Sequence, residues 1–402
     1  MIFWMMPDGA ARTREMMGGF LEPFKQENPD ISVDVRVINR HTLWTRIFTL
    51  KHEGLQEECP DLIALPHYWT QLMAVTGLLE NLTEMDKTIR VDDCLDPLRV
   101  HCYKAGSADI YSCPWWFDIS ALHYREDHLK LISADPQKLL STWGGLLEAC
   151  ALLKERFAGV EGYYPVQNSD WRGTLSSRGA LPCLLSRGAY IISEDGKTCG
   201  FGSPAFERGL EDYIELALKK YVPILKERSS LGNVNSGRSS IAITRRQGVG
   251  MFGGGNKDLP VATISVPRAG ANYVNYLGGV NLGITKRGAQ KQNALKLLKW
   301  LTGAENQVKY AARTEVFPAL DASFQNFLLS SPRRIQSYAQ IIADCSTLPS
   351  RMSTGTIMEV LGSLLGAVST AVVRNEYGKS FLQAEIKKAK EEADNIMRLY
   401  GD

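Results

Sequence analysis

An α/β protein of two lobes is the fold class this sequence predicts, and three observations predict it. The chain has 402 residues, more than one ordinary hydrophobic core accommodates. From Met1 to Pro66 the residue patterns alternate strand, helix, strand, helix, strand, which implies a parallel sheet covered by helices. A second unit of the same kind starts near Asp109.

The elements follow in order. Ile2 to Met6 is an apolar run stopped by Pro7-Asp8-Gly9, a first strand ending in a turn. Met16, Met17, Phe20, Leu21 and Phe24 mark one face of a helix, and Pro29 ends the helical region. Ile31 to Val37 alternates apolar and polar residues, so a strand with one buried face is expected. Asp61 to Pro66 reads as a buried strand closed by proline. Ile119 to Tyr124 is expected to be a strand, and Ser141 or Thr142 to cap a helix running through Leu153. Ser203-Pro204 opens a periodic block from Phe206 to Tyr221, with Pro204 suited to a first helical turn. Val280, Leu282 and Ile284 alternate as a strand. Ala294, Leu297, Leu298 and Leu301 then form the stripe of a helix that Gly303 is expected to cap. The tail from Ser380 to Leu399 is a charged amphipathic helix with Ile386, Ala389 and Ala393 on one side.

Composition narrows the function. The net charge is +2, which gives no electrostatic reason to expect nucleic acid or an anionic membrane. The longest apolar stretch, Ile357 to Val373, is broken by Glu359, Gly362, Ser363 and Gly366, so no membrane span is expected. The first residues have no basic lead and no Ala-x-Ala cleavage site, so no signal peptide is read there. Eight cysteines (59, 94, 102, 113, 150, 183, 199 and 345) show no Cys-x-x-Cys. Scattered buried thiols are expected, with disulfides open if the protein is exported. No zinc spacing occurs, and His123 and His128 read as solvated residues at a helix edge. No cofactor is expected. Gly248 to Gly253 fits G-x-G-x-x-G, but no strand is predicted before it and Pro260 breaks any helix after it, so a dinucleotide site is rejected. Asn81-Leu82-Thr83 is a glycosylation sequon by pattern only.

The most informative segment is Cys113-Pro114-Trp115-Trp116-Phe117-Asp118. Three large rings followed by a carboxylate fit a hydrophobic core. They equally fit a sugar, whose C–H face stacks on a ring while its hydroxyls donate to the acid. If the segment is extended, Asp118 shares a side with Trp116.

Several segments, in this order, resemble the family 1 extracellular solute-binding proteins of bacterial ABC importers, the sugar-binding group related to the maltose-binding protein. Phe3-Trp4 looks like the opening strand of that family, and Phe20…Phe24…Asn28-Pro29-Asp30-Ile31-Ser32-Val33 like its first helix and second strand. Pro60-Asp61-Leu62-Ile63 and Gly77-Leu78-Leu79-Glu80-Asn81-Leu82 resemble the next strand and the segment after it. Pro114 to Asp118 with Ala121 to Tyr124 resembles the hinge and the start of the second lobe. Gln247 to Gly254, Gly278 to Ile284 and Ala294 to Thr302 resemble the Gly-rich element and the returning strand and helix. The eight cysteines and Gly250, where alanine is commoner, depart from the pattern.

The resemblance implies a two-lobed periplasmic-binding-protein fold of type II kind, with ligand in a cleft between lobes joined by hinge crossovers. The lobes would be 1–111 with 274–320 and 112–273 with 321–402. It implies a monomeric carbohydrate-binding protein and not an enzyme. The partners would be the sugar and a membrane ABC permease. The protein would work outside the cytoplasm, periplasmic or lipid-anchored at the cell surface, with a signal peptide absent from this sequence. The expected ligand contacts are Asp8, Trp44, His67, Trp69, Trp115, Trp116, Asp118, Trp171, Arg172, Phe252, Gly253 and Asn281. Asp8, His67 and Trp69 follow strand ends, where open α/β sheets bind ligands, though Trp69 fits a helix core equally. One ring of the Trp115–Trp116 pair is expected to face ligand and the other the core, with Asp118 favouring Trp116. Two other readings stay open. One is a glycoside hydrolase or lyase using a carboxylate pair such as Asp118 and Asp170; the other is the ligand-binding module of a sensor. Arginines 172, 178, 187, 245, 246 and 268 admit an acidic sugar, or are surface charges.

Overall fold

The computed structural model describes residues 1–7, 13–49, 59–167, 174–224, 233–245, 259–269 and 273–401, apart from the side chain of Arg334. Its strands are β1 (Ile2–Met5), β2 (Asp34–Val37), β3 (Leu62–Pro66), β4 (Cys113–Ile119), β5 (Ala121–Arg125), β6 (Val166–Gln167), β7 (Ile241–Thr244), β8 (Val261–Ile264), β9 (Asn275–Ile284), β10 (Phe317–Pro318) and β11 (Cys345–Ser346). The chain forms two compact units. One is Met1–Asp118, Gly278–Ser330 and Ser350–Met352; the other is Ile119–Leu277, Ser331–Pro349 and Ser353–Asp402. The first passage out of the first unit falls near the end of β4, and the return falls inside β9, between Leu277 and Gly278.

In the first unit the strand order is β10-β4-β9-β3-β1-β2. β1 pairs in parallel with β2 and β3, from Ile2 opposite Asp34 and Phe3 opposite Leu62. The expected parallel sheet holds only for these three strands. β9 returns antiparallel on β3, with Leu62 opposite Ile284 and Pro66 opposite Val280, and β10 runs antiparallel to β4. A returning segment far along the chain is free to enter in either direction, and periodicity does not encode which. One face of the sheet (Phe3, Met5, Leu62, Ala64, Val280, Leu282 and Ile284) merges with Met17, Phe20, Phe24, Leu297 and Leu301 of the covering helices in one apolar core. Asp61 fastens this layer: its carboxylate accepts from the amides of Ile2 and Gln290, both at 2.7 Å.

The second unit carries the sheet β6-β7-β5-β8. β5 lies antiparallel between β7 and β8, and β6 runs parallel to β7. Helix Trp143–Arg156 begins as expected, with Thr142 Oγ1 accepting from the Gly145 amide. Helix Pro204–Leu218 has Ser203 as its cap and Pro204 in its first turn. The C-terminal helix spans Lys379–Tyr400 and buries Leu382, Ile386, Ala389, Ala393 and Met397.

Several expectations change. Only Asp34–Val37 of the second strand pairs, because the Ile31 amide donates to the Asn28 carbonyl in a turn. The strand expected at Ile119 to Tyr124 is two strands parted at Ser120, whose amide donates to the Tyr276 carbonyl. Gly303 does cap its helix, its amide donating to the Trp300 carbonyl, but in an extended conformation (φ −63°, ψ 143°), because a further helix starts at Ala304. The apolar stretch read as broken is a continuous helix, Thr354–Val373, with a single Glu. Among the described residues it is the one helix long and apolar enough to cross a membrane, and half of its apolar window is buried. It packs on the helices Ser177–Ser186 and Lys379–Tyr400. Asn81 is buried as a helix cap, accepting from the Glu84 amide at 3.2 Å, which takes its side chain away from a glycan.

Candidate functional site

The parallel strands β1, β2 and β3 present their carboxyl ends along one edge, and two of the segments that follow meet there. Pro66 closes β3, and a single 3₁₀ turn, His67–Trp69, leads into helix Thr70–Val75. After β2, Arg40 opens helix Arg40–Thr49. The two helices bring Trp44 against Trp69 with ring centroids 4.7 Å apart, and Phe48 edge-on to Trp44 at 5.0 Å. The Arg40 guanidinium lies 5.8 Å from the ring centroids of both Tyr68 and Trp69, within the range of a cation–π attraction. Trp69 is wholly buried, whereas Trp44 is half-buried. Arg40 and Tyr68 escaped the sequence reading. The signal for Arg40 was present, since it follows a strand's carboxyl end just as His67 does.

A buried polar layer supports this edge. His67 stacks on His101 with centroids 4.0 Å apart and planes at 23°. Both rings are fully buried, and burial pushes the His101 pKa down to about 3, so that ring stays neutral. Asn281 donates from Nδ2 to Ser112 Oγ (2.9 Å), the His101 carbonyl (3.2 Å) and Thr70 Oγ1 (3.4 Å). It thereby ties β9 to the segments on either side of it. A side chain at Gly279 would put its Cβ 2.8 Å from His67 Nδ1 and 3.3 Å from the Trp116 carbonyl. Glycine there is what lets β9 approach.

On β4, Trp115 is 1 % exposed and enclosed by rings: Tyr310 at 4.4 Å and Phe3 at 6.1 Å. Phe117 points the same way, to Phe317 and Phe324. The alternation of the strand puts Trp116 and Asp118 on the opposite side. Trp116 is 7 % exposed and belongs to the apolar core, and its indole N–H has no acceptor among the described residues. Asp118 is also buried.

Asp8, Trp171, Arg172, Phe252 and Gly253 lie outside the described residues, as do Asp170, Arg246 and the run Gly248 to Gly253. A strand, β7, does end at Thr244, close before that run, which the sequence did not predict. Three of the arginines considered for an acidic ligand have structural uses. Arg187 forks onto Asp212 at 2.6 and 3.0 Å, Arg268 bridges to Asp344 at 3.1 Å, and Arg245 lies 5.2 Å from the Tyr276 ring. His123 and His128, expected at a solvated helix edge, are both buried: His123 meets Thr263 Oγ1 at 3.0 Å and His128 meets Ser240 Oγ at 2.8 Å. His123 is buried because β5 lies between β7 and β8, and His128 because the short helix after β5, Glu126–Leu129, packs its ring 4.6 Å from that of Phe157. No cluster of three potential metal ligands occurs among the described residues. The eight cysteines are free thiols, seven of them buried, and burial raises their pKa values, Cys199 to about 11 and Cys94 to about 12.

A family profile described as bacterial extracellular solute-binding protein matches residues 20–340. A search of curated protein sequences gives no match. Among solved structures, an ABC transporter solute-binding protein from Thermotoga lettingae bound to α-D-tagatose is 19 % identical, with a TM-score of 0.80 over 98 % of each chain. The GacH receptor of Streptomyces glaucescens, solved unliganded and with acarbose, is 16 % identical with a TM-score of 0.81 over 99 % of each chain. The Thermus thermophilus maltotriose-binding protein is 16 % identical with a TM-score of 0.78, covering 98 % of this chain and all of the other. Likenesses at such identities are likenesses of fold: a two-lobed, mixed α/β periplasmic-binding-protein fold along nearly the whole chain.

Proposed function

The chain belongs to the bacterial extracellular solute-binding proteins, which bind and do not catalyse, and from that premise we propose that it captures a carbohydrate for an ABC importer. The observation that carries the reading is the aromatic group at the carboxyl edge of β1 to β3, with the half-buried Trp44 backed by Trp69 and Arg40 lying over the Trp69 ring. A sugar needs an aromatic platform beside planar hydrogen-bonding groups. Trp44 supplies the platform, with Trp116 and Asp118 adding an indole N–H and a carboxylate. Asp8, Trp171, Arg172, Phe252 and Gly253 complete the proposed contact set. The solved structures of similar fold hold a tagatose, an acarbose and a maltotriose, which supports a carbohydrate over other solutes. The protein works as a monomer outside the cytoplasm. Its lobes close on the ligand, and the closed form is what a membrane permease receives.

Calorimetry against a panel of mono- and oligosaccharides tests this. An oligosaccharide should bind with micromolar or tighter affinity, about −8 kcal/mol. Trp44→Ala and Trp116→Ala should each weaken it by roughly 1–3 kcal/mol, the range for a planar ligand stacked on an aromatic ring. Binding of a different solute class with none of the sugars would sink the proposal.

A further inference from the structure

The turn that carries the aromatic edge lies along one face of β9, and the two match in spacing. Residues three apart in a 3₁₀ turn eclipse one another and stand about 6 Å apart along its axis. Residues two apart in a strand share a face and stand roughly 6.6 Å apart. His67, which opens the turn, and Thr70, which follows it, are the first pair; Gly279 and Asn281 are the second. His67 meets Gly279, where a Cβ would lie 2.8 Å from its Nδ1, and Thr70 Oγ1 accepts from Asn281 Nδ2 at 3.4 Å. The turn therefore rests on β9 at both ends.

Asn281 reaches further than Thr70. Its amide also donates to Ser112 Oγ at 2.9 Å and to the His101 carbonyl at 3.2 Å, while Thr70 Oγ1 lies 3.0 Å from Ser112 Oγ. Thr70, His101, Ser112 and Asn281 are all wholly buried. Out of water such bonds are strong, and losing the donor strands its acceptors. The His101 carbonyl also fixes which way the amide faces, since only the NH₂ end can donate to it. One side chain thus bolts the residue after the turn to the segment that leads into β4. A binding constellation keeps its geometry only when supporting side chains hold it to within about 0.5 Å.

We propose that Asn281 is the positioning residue of the aromatic edge: without touching ligand, it fixes the His67–Trp69 turn and so sets where Trp69 holds the Trp44 ring. For ligand affinity the inference rests on the carbohydrate reading; for the placement of the rings it does not. The whole chain is labelled with ¹⁵N-tryptophan, and the indole signals of Trp44 and Trp69 are assigned from Trp44→Phe and Trp69→Phe. Without ligand, Asn281→Leu, which keeps the branching of the side chain but no donor, should shift both signals. Gly279→Ala, pressing on His67 at the other end of the turn, should shift them too. Leu301→Val, a core change on the opposite face of the sheet, should leave them in place. Maltotriose is the binding probe: Asn281→Leu should weaken it about tenfold or more, and Leu301→Val should not. If Asn281→Leu does not fold, Thr70→Val takes its place, and Thr70→Ser, which keeps the hydroxyl, should retain the native signals. Unmoved Trp44 and Trp69 signals in the folded variant overturn the proposal. So does an unchanged maltotriose affinity, or an equal shift in Leu301→Val. Where the wild-type protein does not bind maltotriose, the indole signals alone decide on Asn281, and binding of no sugar at all sinks the carbohydrate reading separately.

Discussion

Two aromatic regions of the first unit teach different things. On β4, Trp115 sits inside a strand with neighbouring strands on both sides and a helix across its face, and rings close over it. At the end of β3, Trp69 and Trp44 sit just past a strand and in the helix after another, and Trp44 keeps part of its surface open while Arg40 lies over Trp69. The residue type is the same. Position relative to the sheet's hydrogen-bonded ladder separates Trp115 from Trp44, because beyond the ladder the backbone turns away and leaves part of the Trp44 indole uncovered.

Trp115→Ala should break the comparison most visibly if the reading of β4 is mistaken. It should destabilise the protein by about 3–5 kcal/mol, seen in denaturant unfolding, while the folded fraction binds ligand normally. A stable variant with lost affinity would make Trp115 a contact instead. The His67–His101 layer beneath the other region sharpens the contrast through pH. Burial holds the folded pKa of His101 at about 3, against 6.5 unperturbed. The neutral ring's contribution is therefore whole above pH 6.5 and is lost as pH falls toward 3, at up to roughly 1.4 kcal/mol per unit. Unfolding followed from pH 7 to 4 should show that slope, and His101→Leu should flatten it. The smallest effect belongs to the edge itself. Arg40→Gln should cost about 0.5–1 kcal/mol of stability through the lost cation–π contact; no change in unfolding midpoint would detach Arg40 from the cluster.

Much of the fold was legible because periodicity reports local burial. The helix containing Ala294, Leu297, Leu298 and Leu301, the helix that follows Ser203-Pro204 and the C-terminal helix all fall where their apolar stripes and caps put them. The misses share a cause in tertiary packing. Ile31 to Ser32 alternates like a strand but turns before it can pair. His123 looks solvated until β5 is seen to lie between β7 and β8, and His128 until its helix is seen to pack on Phe157. The helix Thr354–Val373 tolerates its glycines because neighbouring helices pack against it. For the site, strand-end logic picked out His67 and Trp69. It had equal claim on Arg40, and nothing in a linear sequence pairs Trp44 with Trp69 or His67 with His101.

By itself the sequence determined the α/β class, the two-lobed family and most helix and strand positions, since these follow from short-range patterns and collinear segments. The tertiary structure decided the mixed strand directions, the burial of Trp115 among Phe3 and Tyr310, and the neutral His101. Each of these depends on residues far apart in the chain meeting at van der Waals distance, and a pattern of neighbours along the chain carries no record of such meetings.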